Sequence, residues 1–309
     1  MDVQLSVLTP AYNEAANLTD LVPRLRAVLD EMGTSYEIVV VDDGSTDDTR
    51  TVMAGLRDER VRYIRLRRNA GKSAALSLGL RHLRGEHVVL MDADGQDAPE
   101  EIPRLLQHLD EEGLDLVTGR RAVRHDRAVK RWTSRLYNGA TAMVTRVPGK
   151  DFNSGFKLMR RELSDSLEMY GELHRYIPVL AAWNGFAVGE LDVEHRERLH
   201  GSSKFGRARF WRGFLDLVTV KFLTTYTARP FHLFGGLAAI LGAVGTALLL
   251  WMGTSKLLGN AIGDRPALII GVLLVMLGVQ LGSLGLLAEL VVNLRRRTVL
   301  DAGADGDLA

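Results

Sequence analysis

Short apolar runs rich in β-branched and aliphatic residues recur along the N-terminal part of the chain: Leu5–Thr9, Glu37–Asp42, Val61–Leu66 and His87–Asp92. Each reads as a strand. Between and after them apolar positions recur at helical spacing over about 17–32, 46–57, 70–83 and 98–112, with Asn17 and Ser45 placed as N-caps. This alternation predicts an α/β fold with a mostly parallel central sheet and helices on both faces. In such sheets ligands sit beyond the carboxyl ends of the strands. The polar clusters fall at those ends: Pro10–Glu14, Asp42–Asp47 and Asp92–Asp97.

The pattern changes near residue 230. Pro230 to Ser255 and Pro266 to Ala288 contain no Asp, Glu, Lys or Arg, and each is long enough for the roughly 20 residues that cross a bilayer. Two membrane helices are expected at about 231–252 and 266–291, within a segment 230–294. Lys221 and Arg229 flank the first and Arg295, Arg296 and Arg297 follow the second, so the positive-inside rule places both flanks, and a tail at 295–309, in the cytoplasm. Residues 205–229 mix Arg and Lys with Phe, Trp and Leu, a composition suited to amphipathic helices in the membrane interface. The N-terminus lacks the basic patch and apolar run of a signal peptide, so the domain at 1–204 is expected to stay in the cytoplasm. The Gly/Asp/Ala stretch at 301–309 is expected to fray.

Composition narrows the chemistry. A net charge of +1 gives no global pull on nucleic acid, and the absence of cysteine excludes disulfides and thiolate metal sites. Asp92 and Asp94 end an aliphatic run, so a strand would put both carboxylates on one face, with Gln96 two residues on. Such oxygen donors suit Mg2+ or Mn2+. Gly71-Lys72-Ser73 mimics the end of a phosphate-binding loop, but Leu66 stands where that loop needs its first glycine. His174, His195 and His200 are not spaced as metal ligands on one helix and read as structural, as do Trp183 and Trp211.

Taken together, Pro10-Ala11-Tyr12-Asn13-Glu14, Val41-Asp42-Asp43-Gly44-Ser45-Thr46-Asp47 and Asp92-Ala93-Asp94-Gly95-Gln96 resemble the donor-site motifs of family 2 glycosyltransferases, which have the GT-A fold. The resemblance covers about residues 3–205. It implies that Pro10, Tyr12 and Glu14 cradle the nucleoside of a UDP- or GDP-linked sugar, and that Asp42 accepts a hydrogen bond from the base with Lys72 nearby. It further implies that Asp92, Asp94 and Gln96 lie at a metal bridging the diphosphate.

The second half bears on the acceptor. Between Arg120 and Arg135 stand seven Arg or Lys and one acid, Asp126. Guanidinium forks suit phosphate oxygens. In the members that act on dolichyl or undecaprenyl phosphate the corresponding region holds the acceptor phosphate, which implies that role for Arg121 and Arg131. Arg135 stands where those members place a small hydroxyl residue. Asp151-Phe152-Asn153-Ser154-Gly155-Phe156 resembles their Asp-x-x-Ser-Gly-Phe segment, with Asp151 near the sugar or acceptor; Ser154 and Gly155 fit a capped turn equally well. Arg198, Ser203 and Lys204 match a motif that closes over the diphosphate. The implied reaction is inverting transfer of a sugar from the nucleotide to a polyprenyl phosphate at the membrane. Assembly into a homo-oligomer is left open. A processive polymer synthase of the same fold is disfavoured because Ala128 replaces the glutamine of its Gln-x-x-Arg-Trp motif. A catalytically dead scaffold would not need the intact Asp92, Asp94, Gln96, Arg198 and Lys204.

Overall fold

The computed structural model describes residues 3–121, 151, 153–167, 169, 171–196, 222, 230–259 and 266–304. Four strands form at the apolar runs: β1 (Leu5–Ala11), β2 (Tyr36–Asp42), β3 (Val61–Arg65) and β4 (His87–Leu90). They alternate with α1 (Ala15–Glu31), α2 (Thr49–Leu56) and α3 (Lys72–Leu80). A 3-10 turn at Pro99–Glu101 leads into α4 (Ile102–Glu111), followed by β5 (Leu116–Arg121), β6 (Lys157–Arg160), α5 (Arg161–Ser166), α6 (Ile177–Trp183) and β7 (Val188–Val193).

The seven strands lie in the order β3-β2-β1-β4-β6-β5-β7. β1 pairs in parallel with β2 and β4, β2 with β3, and β5 with β7. β6 alone runs antiparallel, to both β4 and β5. The strand side chains alternate between two cores. Val7, Ile38, Val40, Val89, Val117 and Leu158 pack with Leu18, Leu25, Met53, Leu105 and Leu109 from α1, α2 and α4. Leu8, Val39, Val41, Val88, Leu116 and Met159 pack with Leu76, Leu80, Leu163, Ile177 and Ala181 from α3, α5 and α6. Every residue of β2 is buried, as befits a strand covered on both faces.

The helix starts differ from the expected caps. Asn17 lies inside the first turn of α1, and its amide donates to the Glu14 carboxylate at 2.5 Å. Ser45 stands in the loop ahead of α2, its hydroxyl accepting the Asn13 N–H at 2.8 Å. Asp47 serves both helices instead: its carboxylate accepts the N–H of Ala15 at 3.2 Å and of Thr49 at 3.1 Å. One anion thus answers the first donors of two helices, where the helix dipoles favour negative charge.

The chain divides into two compact units, Met1–Val220 and Lys221–Ala309. In the second, α7 (Pro230–Leu257) and α8 (Pro266–Ala304) pack on each other through small residues. A Cβ added at Gly245 would stand 2.8 Å from the Gly271 carbonyl oxygen, and one at Gly278 would stand 2.9 Å from that of Ala238. Gly271, Gly278 and Gly285 recur every seven residues on α8, the spacing that keeps one seam facing a partner helix. Pro230–Leu257 and Pro266–Val292 each contain an 18-residue stretch, of mean hydropathy 2.2 and 2.4, that remains largely exposed, unlike the core helices of a soluble protein. The stretch expected to fray from residue 301 is helical as far as Ala304, because α8 runs on through the basic flank.

Candidate functional site: a cleft at the carboxyl ends of the parallel strands

The first two polar motifs are bonded to each other. Asn13 takes a left-handed conformation (φ 58°), which turns its side-chain oxygen onto the Thr46 N–H at 2.8 Å. The Asp43 N–H donates to the Ala11 carbonyl at 2.8 Å, and the Glu14 N–H to the Thr49 hydroxyl at 3.3 Å. Beyond them opens a cleft of about 340 Å3 whose walls include Pro10, Tyr12, Glu14, Lys72, Asp92 and Asp94. Six of the residues picked out from sequence therefore meet in one place.

Asp42 does not line it. Its carboxylate is fully buried and accepts from the Tyr63 hydroxyl at 2.5 Å and the Ser45 N–H at 2.7 Å, with Arg65 Nε at 3.3 Å. Asp43 faces the cleft instead, gathering the N–H groups of Ala70 and Gly71 at 2.7 and 2.9 Å. β2 ends at Asp42, and the next residue points into the opening. Nor does Lys72 lie at Asp42: its ammonium is paired with Asp92.

β4 ends at Leu90, so Asp92 and Asp94 sit in the turn after the strand, and strand alternation is not what brings them together. Burial works against the charge on Asp92, but the Lys72 ammonium outweighs it and the carboxyl is held below its usual range. Gln96 is absent from the cleft wall; its side-chain amide donates to the Arg196 carbonyl at 3.4 Å. Among the described residues no three His, Asp or Glu side chains surround one point. Two carboxylates at a cleft wall nevertheless fit Mg2+ or Mn2+, since Mg2+ in particular is commonly held by one or two carboxylates plus waters and substrate phosphates.

Three further groups support this floor. Gly155 lies under Asp92, leaving room for its carboxylate. Lys157, on β6, is 2% exposed, and its ammonium donates to the Ser154 carbonyl. Burial, aided by repulsion from Lys72, pushes the Lys157 ammonium down to about 8. Next to Lys72 in the chain, the Ser73 hydroxyl and His174 Nδ1 are 2.9 Å apart. Burial and then the positive charge of Lys72 hold that imidazole far below its usual range, so it is neutral.

Arg121 and Asp151 also meet, Nε and Nη2 reaching the carboxylate at 2.9 and 3.2 Å. Asp151 is 1% exposed, so the pair fixes the direction of the guanidinium at the end of β5. Arg131, Arg198, Ser203 and Lys204 lie outside the described residues, as do Arg124, Arg127, Lys130, Arg135, His200 and Trp211. So do the expected interface helices at 205–229, apart from Phe222.

The signature of "Glycosyl transferase family 2" matches residues 6–167, which span the cleft wall, Asp92 and Asp94 included, and the Ser154–Gly155 support. The chain belongs to that family. Over 301 residues it is 36% identical to the dodecaprenyl-phosphate galacturonate synthase of Rhizobium johnstonii, covering 94% of this chain and 88% of the relative. Over 291 residues it is 39% identical to the undecaprenyl-phosphate 4-deoxy-4-formamido-L-arabinose transferase of Pseudomonas aeruginosa, covering 92% and 84%. Among solved structures it is similar in fold to the glucosyl-3-phosphoglycerate synthase of Mycobacterium tuberculosis, with a TM-score of 0.56 at 22% identity over 72% of this chain and 81% of that one. That synthase has also been solved with Mn2+ and UDP. The GT-A fold expected from the sequence is thereby established for this family 2 glycosyltransferase.

Asp43 on the cleft wall of the transferase, and Lys157 and His174 close enough to Lys72 and Asp92 to feel their charge, are the groups that the sequence expectations passed over or discounted. Asp43 had a usable signal, since it stands one residue past a predicted strand end. Lys157 and His174 had none, because their burial comes from elements far away in sequence.

Proposed function

We propose that this glycosyltransferase moves a sugar from a UDP- or GDP-linked donor to a polyprenyl phosphate, with inversion at the anomeric carbon. The observation that carries the reading is likeness over more than nine-tenths of the chain, through sheet domain and apolar hairpin alike, to transferases named for such acceptors. In this reading the cleft holds the donor. Pro10, Tyr12 and Glu14 cradle the nucleoside, and Asp43 takes the place that the sequence assigned to Asp42. Asp92 and Asp94 would hold Mg2+ or Mn2+, which when bound supplies positive charge beside the donor diphosphate.

An ionised oxygen of the lipid phosphate attacks the anomeric carbon. The bond from that carbon to the diphosphate oxygen breaks, and the nucleoside diphosphate leaves with the electron pair. The nucleophile already carries charge at pH 7, so no strong general base is required. Lys72 keeps Asp92 ionised and in place. Arg121, aimed by Asp151, and Arg131 receive the acceptor phosphate, while Arg198, Ser203 and Lys204 close over the diphosphate. α7 and α8 cross the bilayer as a hairpin, with the sheet domain on the cytoplasmic side where the basic flanks lie.

The test uses purified full-length protein in detergent with undecaprenyl phosphate, Mn2+ and labelled UDP- and GDP-sugars. Label passing into the organic phase, and lost on adding EDTA, is the expected result and names the sugar. Folded protein giving no lipid product from any donor overturns the reading.

A further inference from the structure

The open edge of the sheet carries a second concavity that shares no residue with the donor cleft. It is a depression of about 490 Å3 lined by Arg50, Arg57, Tyr63, Arg65, Leu66 and Arg67. Its construction follows from local geometry. Tyr63 and Arg65 are two apart on β3 and so share a face, and Arg67 follows in the bend after the strand. Arg50 lies in the first turn of α2 and Arg57 caps its last. β3 is the edge strand of the sheet, and among the described residues no further strand covers this side.

Most described arginines of the domain are paired with a carboxylate, and of the few that are not, Arg50, Arg57 and Arg67 stand together at this depression while Arg68 and Arg81 do not line it. Arg24, Arg60, Arg120 and Arg160, for example, each have a carboxylate within 3 Å. Around the depression only Arg65 is answered, by Asp42 at 3.3 Å. Among the described residues, Arg50, Arg57 and Arg67 have no acidic partner within ion-pair distance. Asp42 is taken up by Tyr63 and Arg65, so its carboxylate does not answer the charge of the other three. Three uncompensated guanidinium groups around a concave wall focus positive potential into it. Their planar forks match the spacing of phosphate oxygens better than that of a compact anion such as chloride.

We infer that this depression is a second anion site, built for a phosphate-bearing ligand and separate from the donor cleft. Its ligand is a phosphate group on a small soluble molecule or on an anionic lipid head. The site does not depend on the proposed reaction, because none of its residues belongs to the cleft.

The experiment titrates inorganic pyrophosphate into full-length protein in detergent and EDTA, by calorimetry, at low and at moderate salt. Arg50 and Arg57 are exposed, and Arg65 is left intact because it holds Asp42, so the Arg50→Ser/Arg57→Ser variant retains its fold; an unchanged thermal midpoint checks this. The expected result is binding that weakens with salt and falls by roughly tenfold or more in that variant. The cleft variant Lys72→Met should keep it. Equal pyrophosphate affinity in wild type and the double variant overturns the inference, and so does loss in Lys72→Met alone, which would place the probe in the cleft. A parallel titration in nanodiscs separates the sources. Weaker pyrophosphate binding with phosphatidylglycerol than with phosphatidylcholine alone shows the site taking a lipid head, and equal binding shows it taking a soluble phosphate.

Discussion

The carboxylate of Asp92 rests against the α-carbon of Gly155: a methyl group added there would lie 2.4 Å from Oδ2 and 2.5 Å from Cγ. Gly155 has no positive φ, so it is required for space and not for backbone conformation. The turn is present, with the Ser154 N–H donating to the Asp151 carbonyl at 3.2 Å and the Phe156 N–H to the Ser154 hydroxyl at 3.3 Å, and the contact with Asp92 adds a second demand on Gly155. Gly155 is a shelf beneath a cleft carboxylate.

Gly155→Ala should therefore displace Asp92 and loosen its pair with Lys72. A misplacement of about 1 Å at a reacting centre can cost roughly a hundredfold in rate. Transfer should fall by about that factor while the thermal midpoint changes little. Wild-type kcat/KM in the alanine variant would show that the contact is relieved without consequence.

Asp94→Ala removes a carboxylate from the cleft wall without touching the core. The expected loss of transfer is roughly a hundredfold or more, consistent with several kcal/mol of charge stabilisation, with membrane insertion unchanged. Assays across a range of Mn2+ concentrations check this. Unaltered activity and metal response would remove Asp94 from the site.

His174 gives stability a pH dependence of known sign. Its folded value is depressed, so the native state binds fewer protons than the unfolded chain as pH falls below the ordinary histidine range near 6.5. The contribution is fully present above that value and is lost progressively on acidification. Thermal midpoints at pH 7.5 and 5.5 should differ more for the wild type than for His174→Asn. An equal difference in both would mean that the imidazole is not held neutral.

In the hairpin, Gly278→Leu would drive a side chain into the backbone of α7, where even a Cβ meets the Ala238 carbonyl oxygen at 2.9 Å. Overpacking of this kind costs about 1–3 kcal/mol. The detergent-solubilised variant should unfold at lower denaturant concentration. Gly236→Leu, which meets nothing within 4 Å, serves as the neutral control.

The strands were legible because apolar period and burial coincide, as in Val39 and Val40 packing into opposite cores. The chemistry at their ends was legible less finely. A shift of one residue at a strand end changes which face a side chain takes, and that separates Asp42 from Asp43. The helix starts were misplaced because Asp47 caps α1 from 32 residues away in sequence, and no local pattern shows such a partner. Lys157 looks like any solvated lysine until β4 and β5 close on either side of it.

That closure bears on how the polypeptide folds. The nascent chain delivers β1 to β4 as one parallel block, whereas β5 can join it only through β6, which pairs with both. Gly155, two residues before β6, seats Asp92, so the long-range pairing that joins the two blocks also completes the floor of the cleft. A partly folded intermediate without β6 would have a collapsed first core but an unsupported Asp92, and it would leave the exposed edge of β4 open to chaperones, proteases or other chains. The support beneath Asp92 is thus acquired only when β6 has joined the sheet.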